Sequence, residues 1–247
     1  MANISNDTAS AKPTPDRPEL YRVLPFVIFL VLTSLQGKYF DGSEYWIYLA
    51  KGMVAAVMLW VWRDKLREMR WAVSVEAVVV GVAIAVLWVG LEGRVPTLDR
   101  LWYWGRQLVS GTPMPSVVPD KPWNPVAHFI DLPALGWGFV VARFVIRSLV
   151  VPPLEEVFYR SFFYRFIAQP KFMEMPLGVW HPMAFLVTCL AFGLAHPGQW
   201  LAGIICGAAY QWLVIRKKRL GDAMTAHAIT NLGVGAWAVA TNQWQFT

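Results

Sequence analysis

The chain has 247 residues, 56% of them hydrophobic and only 15% charged, with a mean hydropathy of +0.41. Soluble proteins carry roughly 25% charged residues, and a soluble globule could not hide this much apolar surface, so the bilayer is the first solvent to consider. The net charge of +6 sits in short clusters between apolar runs, without a basic and aromatic stripe, which points to the positive-inside rule and away from nucleic acid.

In chain order, residues 1–20 are polar, contain three prolines and read as a disordered cytoplasmic tail. No short apolar core with a cleavage site precedes them, so no removable signal peptide is expected. Residues 21–247 read as a single membrane domain. It contains seven apolar runs: Tyr21 to Phe40, Tyr45 to Trp62, Trp71 to Leu91, Ala134 to Ile167, Trp180 to His196, Trp200 to Ile215 and Ala223 to Ala240. Tryptophans such as Trp60, Trp62, Trp71, Trp180 and Trp200 crowd their ends, where such rings favour the headgroup level. The expected fold is all-α, a polytopic membrane bundle of about seven transmembrane helices.

Three basic clusters orient it: Arg63, Lys65, Arg67 and Arg70; Arg165 and Lys171; and Arg216 to Arg219. All fall on one side if the amino terminus is cytoplasmic, with the carboxyl terminus outside. The expected location is a bacterial inner membrane. The connection from Glu92 to Asp131 is then external, and Trp102, Trp104 and Trp123 suit either a surface-lying segment or an ordered lid. Gly203 and Gly207 form a GxxxG that predicts a close helix contact. Cys189 and Cys206 lack metal-type spacing and read as packing residues.

Ionisable side chains inside a bilayer cost roughly 2.5 to 3.5 kcal/mol at its centre, so each needs a partner or a role. Those in the apolar runs are Glu76, Glu155, Glu156, Arg160, His196 and His227. Arg143 and Arg147 lie near the outer end of the fourth run, where long side chains can snorkel to water. Glu156 and Arg160 are i,i+4 neighbours able to neutralise each other, which leaves Glu155 without a local partner. Pro152 and Pro153 followed by two glutamates are also what an ordinary helix start looks like, although a helix dipole alone would not offset desolvation of two carboxylates.

Phe192 shares a helix face with His196, and His227 shares one with Asn231. Measured from the basic side at about 1.5 Å per residue, Glu155 and Asn231 lie about 15 Å deep, His227 about 9 Å and His196 about 24 Å. His196 therefore needs helix tilt or a shifted boundary to meet the others.

These residues resemble the family of CAAX-protease and bacteriocin-processing membrane proteins, which includes the type II CAAX prenyl endopeptidases. The pattern Glu-Glu-x-x-x-Arg, Phe-x-x-x-His and His-x-x-x-Asn is met by Glu155, Glu156 and Arg160, by Phe192 and His196, and by His227 and Asn231. It spans Glu155 to Asn231, within 150–235, and the first half of the chain shows no such likeness. The resemblance implies a glutamate intramembrane protease acting on a membrane-associated protein or peptide. Glu155 and His196 would hold and deprotonate a water, His227 and Asn231 would stabilise the oxyanion, and Glu156 with Arg160 would support the site. No prenylated target is implied by this sequence, and its oligomeric state is open.

The residue types fit that chemistry, because amide hydrolysis needs a base, oxyanion donors and a proton for the leaving amine. No cofactor is required, yet two imidazoles and a carboxylate could also hold a catalytic zinc, although HExxH is absent. Serine or cysteine catalysis is disfavoured: Ser110, Ser148 and Ser161 have no histidine at a suitable spacing, and both thiols sit in apolar runs. A non-catalytic scaffold, immunity or transport protein with a structural polar cluster is the competing reading.

Overall fold

The computed structural model describes residues 16–111 and 122–246; the tail up to residue 15 and residues 112–121 of the long connection lie outside them. Among the described residues there are helices and no strands. In order they are α1 (Pro18–Ser34), α2 (Ser43–Val61), α3 (Val75–Leu91), α4 (Leu98–Ser110), the single turn α5 (Pro125–His128), α6 (Pro133–Ala168), α7 (Pro182–Leu194), α8 (Trp200–Lys217) and α9 (Gly221–Thr241). Each of the seven apolar runs becomes one helix, from 13 residues in α7 to 36 in α6.

The helix starts are written in the sequence. Ser74 and Thr97 accept hydrogen bonds from the backbone N–H groups of Ala77 and Arg100, an N-cap role that satisfies donors the helix itself leaves open. Proline opens α1, α6 and α7, where its missing N–H costs nothing.

Three helices are long and apolar enough to cross a membrane: α2, α6 and the segment Pro197–Lys217 that contains α8. Helices α3 and α7 are apolar but shorter. The expected count of seven spans is thus not set by length and hydropathy. Helix α9 has 21 residues, but Asp222, Thr225, His227, Thr230 and Asn231 lower its hydropathy because it lines the polar interior. Large apolar side chains such as Val57, Trp60, Val86, Leu149, Leu190 and Leu232 are exposed on the outer faces of their helices, as lipid contact requires.

Contacts place the three basic clusters at one end of the bundle. Glu76, at the start of α3, lies 2.8 Å from Lys217 Nζ and 3.5 Å from Arg216 Nε. Lys218 donates to the Gly178 carbonyl across 2.5 Å. A Cβ on Gly221 would strike the backbone of Arg70 and Ala72. Arg22 of α1 pairs with Glu68 at 2.8 Å, Ser161 donates to the same carboxylate, and Arg165 donates to Ser161 Oγ at 2.8 Å. At the opposite end Gln199 donates to Glu92, and Trp200 Nε1 donates to the Pro96 carbonyl at 2.9 Å.

Small residues set the central packing. A Cβ on Gly81 would lie 2.7 Å from the Ala226 carbonyl oxygen and one on Gly233 3.0 Å from Ala85, so α3 and α9 run side by side in the same direction. A Cβ on Gly203 would fall 2.9 Å from Gly193 Cα, and one on Gly207 3.3 Å from Cys189 Cα. The GxxxG of α8 is thus a backbone-to-backbone contact with α7, and both cysteines are buried and free.

Helix α6 is irregular where the sequence is most unusual. Pro152 and Pro153 bring no N–H, and Ile146–Val150 widens to π geometry just before them, with a second π segment at Val157–Phe163. Such bulges arise where the regular ladder is interrupted and are frequent at functional sites. The Val151 N–H reaches the Ile146 carbonyl. The next donor in π register, for the Arg147 carbonyl, would be Pro152, which has none. Asn231 of α9 satisfies that carbonyl instead, donating from Nδ2 at 2.8 Å.

Candidate active site

A cavity of about 330 Å³ lies in the half of the bundle away from the basic clusters. Glu155 of α6, His196 just beyond α7, and His227 and Asn231 of α9 all line it, together with Phe192, Trp88, Cys206 and Tyr210. The four residues assigned to the chemistry therefore share one enclosure, although they come from three separated stretches of chain.

Glu155 and Glu156 are sequence neighbours with divergent surroundings. Glu156 is fully buried and lies outside the cavity lining, with Oε2 3.1 Å from Arg160 Nε and Oε1 2.9 Å from His227 Nδ1. The Arg160 approach pairs charge without the alignment of a hydrogen bond. Arg160 is in turn held by the Gly207 carbonyl, to which Nη2 donates at 3.3 Å, and by the Phe192 ring, 4.5 Å below its guanidinium. Glu155 faces the cavity, and its Oε2 is buried with no hydrogen-bond partner among the described residues. A buried carboxylate oxygen in that condition calls for an explanation.

The two imidazoles are anchored through the same nitrogen to acceptors of different charge. His196 Nδ1 lies 2.8 Å from the Phe192 carbonyl oxygen; a carbonyl only accepts, so Nδ1 carries the hydrogen and Nε2 offers a lone pair. His227 Nδ1 faces the Glu156 carboxylate, and its ring stacks on Tyr210 with centroids 5.2 Å apart. Phe192 is the hub between them, with centroid distances of 4.9 Å to His196 and 6.2 Å to His227.

The depth discrepancy of His196 has a local cause. Helix α7 starts at Pro182 rather than Trp180 and ends at Leu194. His196 therefore sits past the helix end, and its ring folds back over the last turn onto Phe192 and against Trp88, 5.3 Å away.

The cavity is also lined by Lys51 of α2 and by Arg143 and Arg147 of α6. This corrects the expectation that Arg143 and Arg147 snorkel to water: Arg143 lies over the rings of Tyr48 and Trp123 at 4.6 and 4.1 Å, and Arg147 Nη1 donates to the Phe246 carbonyl at 2.6 Å. Lys51 is 5% exposed, donates to Thr33 Oγ1 and Gln36 Oε1 at 2.9 and 2.6 Å, and is absent from the sequence-derived set of intramembrane charges. The signal was present, a lone lysine near the middle of the second apolar run. Glu76, by contrast, is a partner for Arg216 and Lys217 at the basic end, remote from the cavity.

Two features bear on other chemistries. Among the described residues no three His, Cys, Asp or Glu side chains gather in a metal-holding arrangement. Ser161 is tied into the Arg22, Glu68 and Arg165 network at the basic end.

The fold and site together define a helical membrane protein whose polar cavity is built from a buried carboxylate, two imidazoles and an amide. Residues 137–233 match the family model described as Type II CAAX prenyl endopeptidase Rce1-like. The matched segment runs from early α6 past Asn231 and contains all three motifs, so the resemblance stated from them holds over that segment, and it is a resemblance to a family of proteases. No curated protein and no solved structure matches the chain.

Proposed function

We propose that the chain is an intramembrane endopeptidase that hydrolyses a peptide bond of a membrane-associated protein or peptide with a glutamate-activated water. The observation that carries this reading is the convergence of Glu155, His196, His227 and Asn231 on one cavity, with Glu155 Oε2 left without a hydrogen-bond partner among the described residues. His196, with Nδ1–H committed to a carbonyl, presents an acceptor to the cavity; His227, whose Nδ1 faces the Glu156 carboxylate, is assigned the donor role.

Glu155 then takes one proton of a water whose other hydrogen His196 Nε2 accepts. The resulting hydroxide adds to the substrate carbonyl carbon. The oxyanion accepts from His227 Nε2–H and from the second hydrogen of Asn231 Nδ2, the first being used on Arg147. Glu155 returns its proton to the leaving amine as the C–N bond breaks. Donors preorganised where charge develops are worth about 10²–10³ in rate each.

The proposed mechanism uses no metal, and the basic end of the bundle faces the cytoplasm by the positive-inside rule, as in a bacterial inner membrane. The prenyl specificity in the family description stays with the family. Comparing the proteome of membranes carrying the wild type or the Glu155→Gln protein tests the reading: uncleaved precursors should accumulate with the variant. Equal precursor levels, with a marked fall in melting temperature, would instead favour a structural polar cluster. Loss of activity on chelation, restored by zinc, would overturn the metal-free mechanism.

A further inference from the structure

Lys51, Arg143, Arg147 and one carboxylate, Glu155, line the same cavity, and among the described residues these three cations have no acidic partner. Among the described residues none of Lys51, Arg143 and Arg147 forms an ion pair. Neutral groups hold Lys51 (Thr33, Gln36 and the rings of Phe29 and Tyr48) and Arg147 (the Phe246 carbonyl). Arg143 Nε is buried with no hydrogen-bond partner, its guanidinium set between Tyr48 and Trp123. An unpaired charge held away from bulk water is costly, and three of them beside the single carboxylate of Glu155 leave a surplus of positive charge in the cavity. Nothing in the helix packing needs this, since the structural pairs Glu156–Arg160 and Arg22–Glu68 are made elsewhere.

We propose that Lys51, Arg143 and Arg147 form a subsite for a carboxylate of the substrate, which fixes the peptide so that its scissile bond lies against Glu155. The assignment rests on the endopeptidase reading. A peptide is favoured over a lipid phosphate because the cations share one cavity with Glu155, His196 and His227, so their occupant is whatever lies along those residues. Two guanidinium groups suit a carboxylate through fork-shaped, charge-assisted bonds. The carboxylate can come from the chain terminus of the peptide or from an acidic side chain.

The two sources and the parent reading separate in one binding experiment that needs no cleavage. A dye-labelled, all-apolar hexapeptide is prepared as the free acid, as the carboxyl-terminal amide, and as the amide with one internal glutamate. Each is titrated by fluorescence anisotropy onto the full chain in phosphatidylcholine nanodiscs, as Glu155→Gln and as Glu155→Gln combined with Arg143→Gln, Lys51→Met or Lys51→Arg. The free acid, or the glutamate peptide, should bind at least about tenfold more tightly than the plain amide, as a charge-assisted contact of about 1.5–3 kcal/mol implies. Arg143→Gln and Lys51→Met should each erase most of that gap, and Lys51→Arg should retain it. Which peptide shows the gap identifies the source. Equal binding of all three peptides, no binding of the acids, or a gap that survives both neutral variants overturns the subsite. So does loss of the gap on adding phosphatidylglycerol to the discs, which would assign the cations to lipid headgroups. A preserved gap, together with equal precursor levels in membranes carrying the wild type and the Glu155→Gln protein, would count against the endopeptidase reading alone.

Discussion

Two groups of charged residues at the cavity use their charge in opposite ways. In one, Glu155 and His227 line the cavity with Glu156 and Arg160 behind them, and every charge but that of Glu155 has an opposite partner within 3.1 Å. In the other, Lys51 of α2 and Arg143 and Arg147 of α6 are held, among the described residues, by hydroxyl, amide, carbonyl and aromatic groups. The paired group sets geometry, and the Glu155 oxygen without a hydrogen-bond partner is the reactive candidate. The unpaired group keeps its electrostatic field available for something that enters. A residue that completes pairing should matter to folding, and one that stays unpaired should matter to turnover or binding.

The largest expected effect tests this within a single dipeptide. Glu155→Gln should lower kcat by about 10³-fold or more and leave the melting temperature nearly unchanged. Glu156→Gln should behave oppositely: it strands Arg160 and His227, so a loss of roughly 3–5 kcal/mol of stability is expected, read as a lowered melting temperature of the detergent-solubilised protein. Similar melting curves for the two variants would break the comparison.

Asn231→Ala comes next. It removes a proposed oxyanion donor, about 10²-fold in kcat, and leaves the Arg147 carbonyl in the π turn without its donor, at about 1–3 kcal/mol. A variant that loses activity with unchanged KM and only a modest drop in melting temperature fits both roles. Gly207→Val tests packing alone, since its side chain would press on Cys189 and Phe192; a loss of about 1–3 kcal/mol is expected, seen as earlier thermal unfolding.

Glu92 belongs to neither group and supplies the baseline. It lies in the connection after α3, where partial burial raises its carboxyl above the ordinary value of 4.5 while the hydrogen bond from Gln199 opposes that rise. The folded chain therefore holds this proton more tightly than the unfolded one. Its contribution is fully present below the ordinary carboxylate value and is lost as pH rises through the raised one. Melting profiles across that window should show a small downward slope that Glu92→Gln flattens, with no change in kcat.

Much of the architecture was legible because membrane helices announce themselves locally. Apolar runs, prolines at helix starts and the capping Ser74 and Thr97 are properties of short windows of sequence, and each of the seven runs is a helix. The Glu156–Arg160 pair was legible for the same reason, being one helical turn apart. Lys51 was readable in principle as an isolated charge, but nothing local told its role. Arg143 and Arg147 were misplaced because a snorkelling arginine and a cavity arginine look alike until the neighbouring helices are in position.

The sequence alone determined the solvent, the all-helical class and the three motifs on helix faces, since each depends on composition or on i,i+4 spacing. Only the tertiary structure decided what the motif residues face: that Glu156 reaches His227 across 71 positions of chain, that His196 folds back from beyond a helix end, and that α2, outside the family match, brings a lysine to the same cavity. Those relations depend on how glycine-mediated contacts and proline-induced π turns set one helix against another. Such distances between helices are a property of the packed bundle, which no single stretch of chain contains.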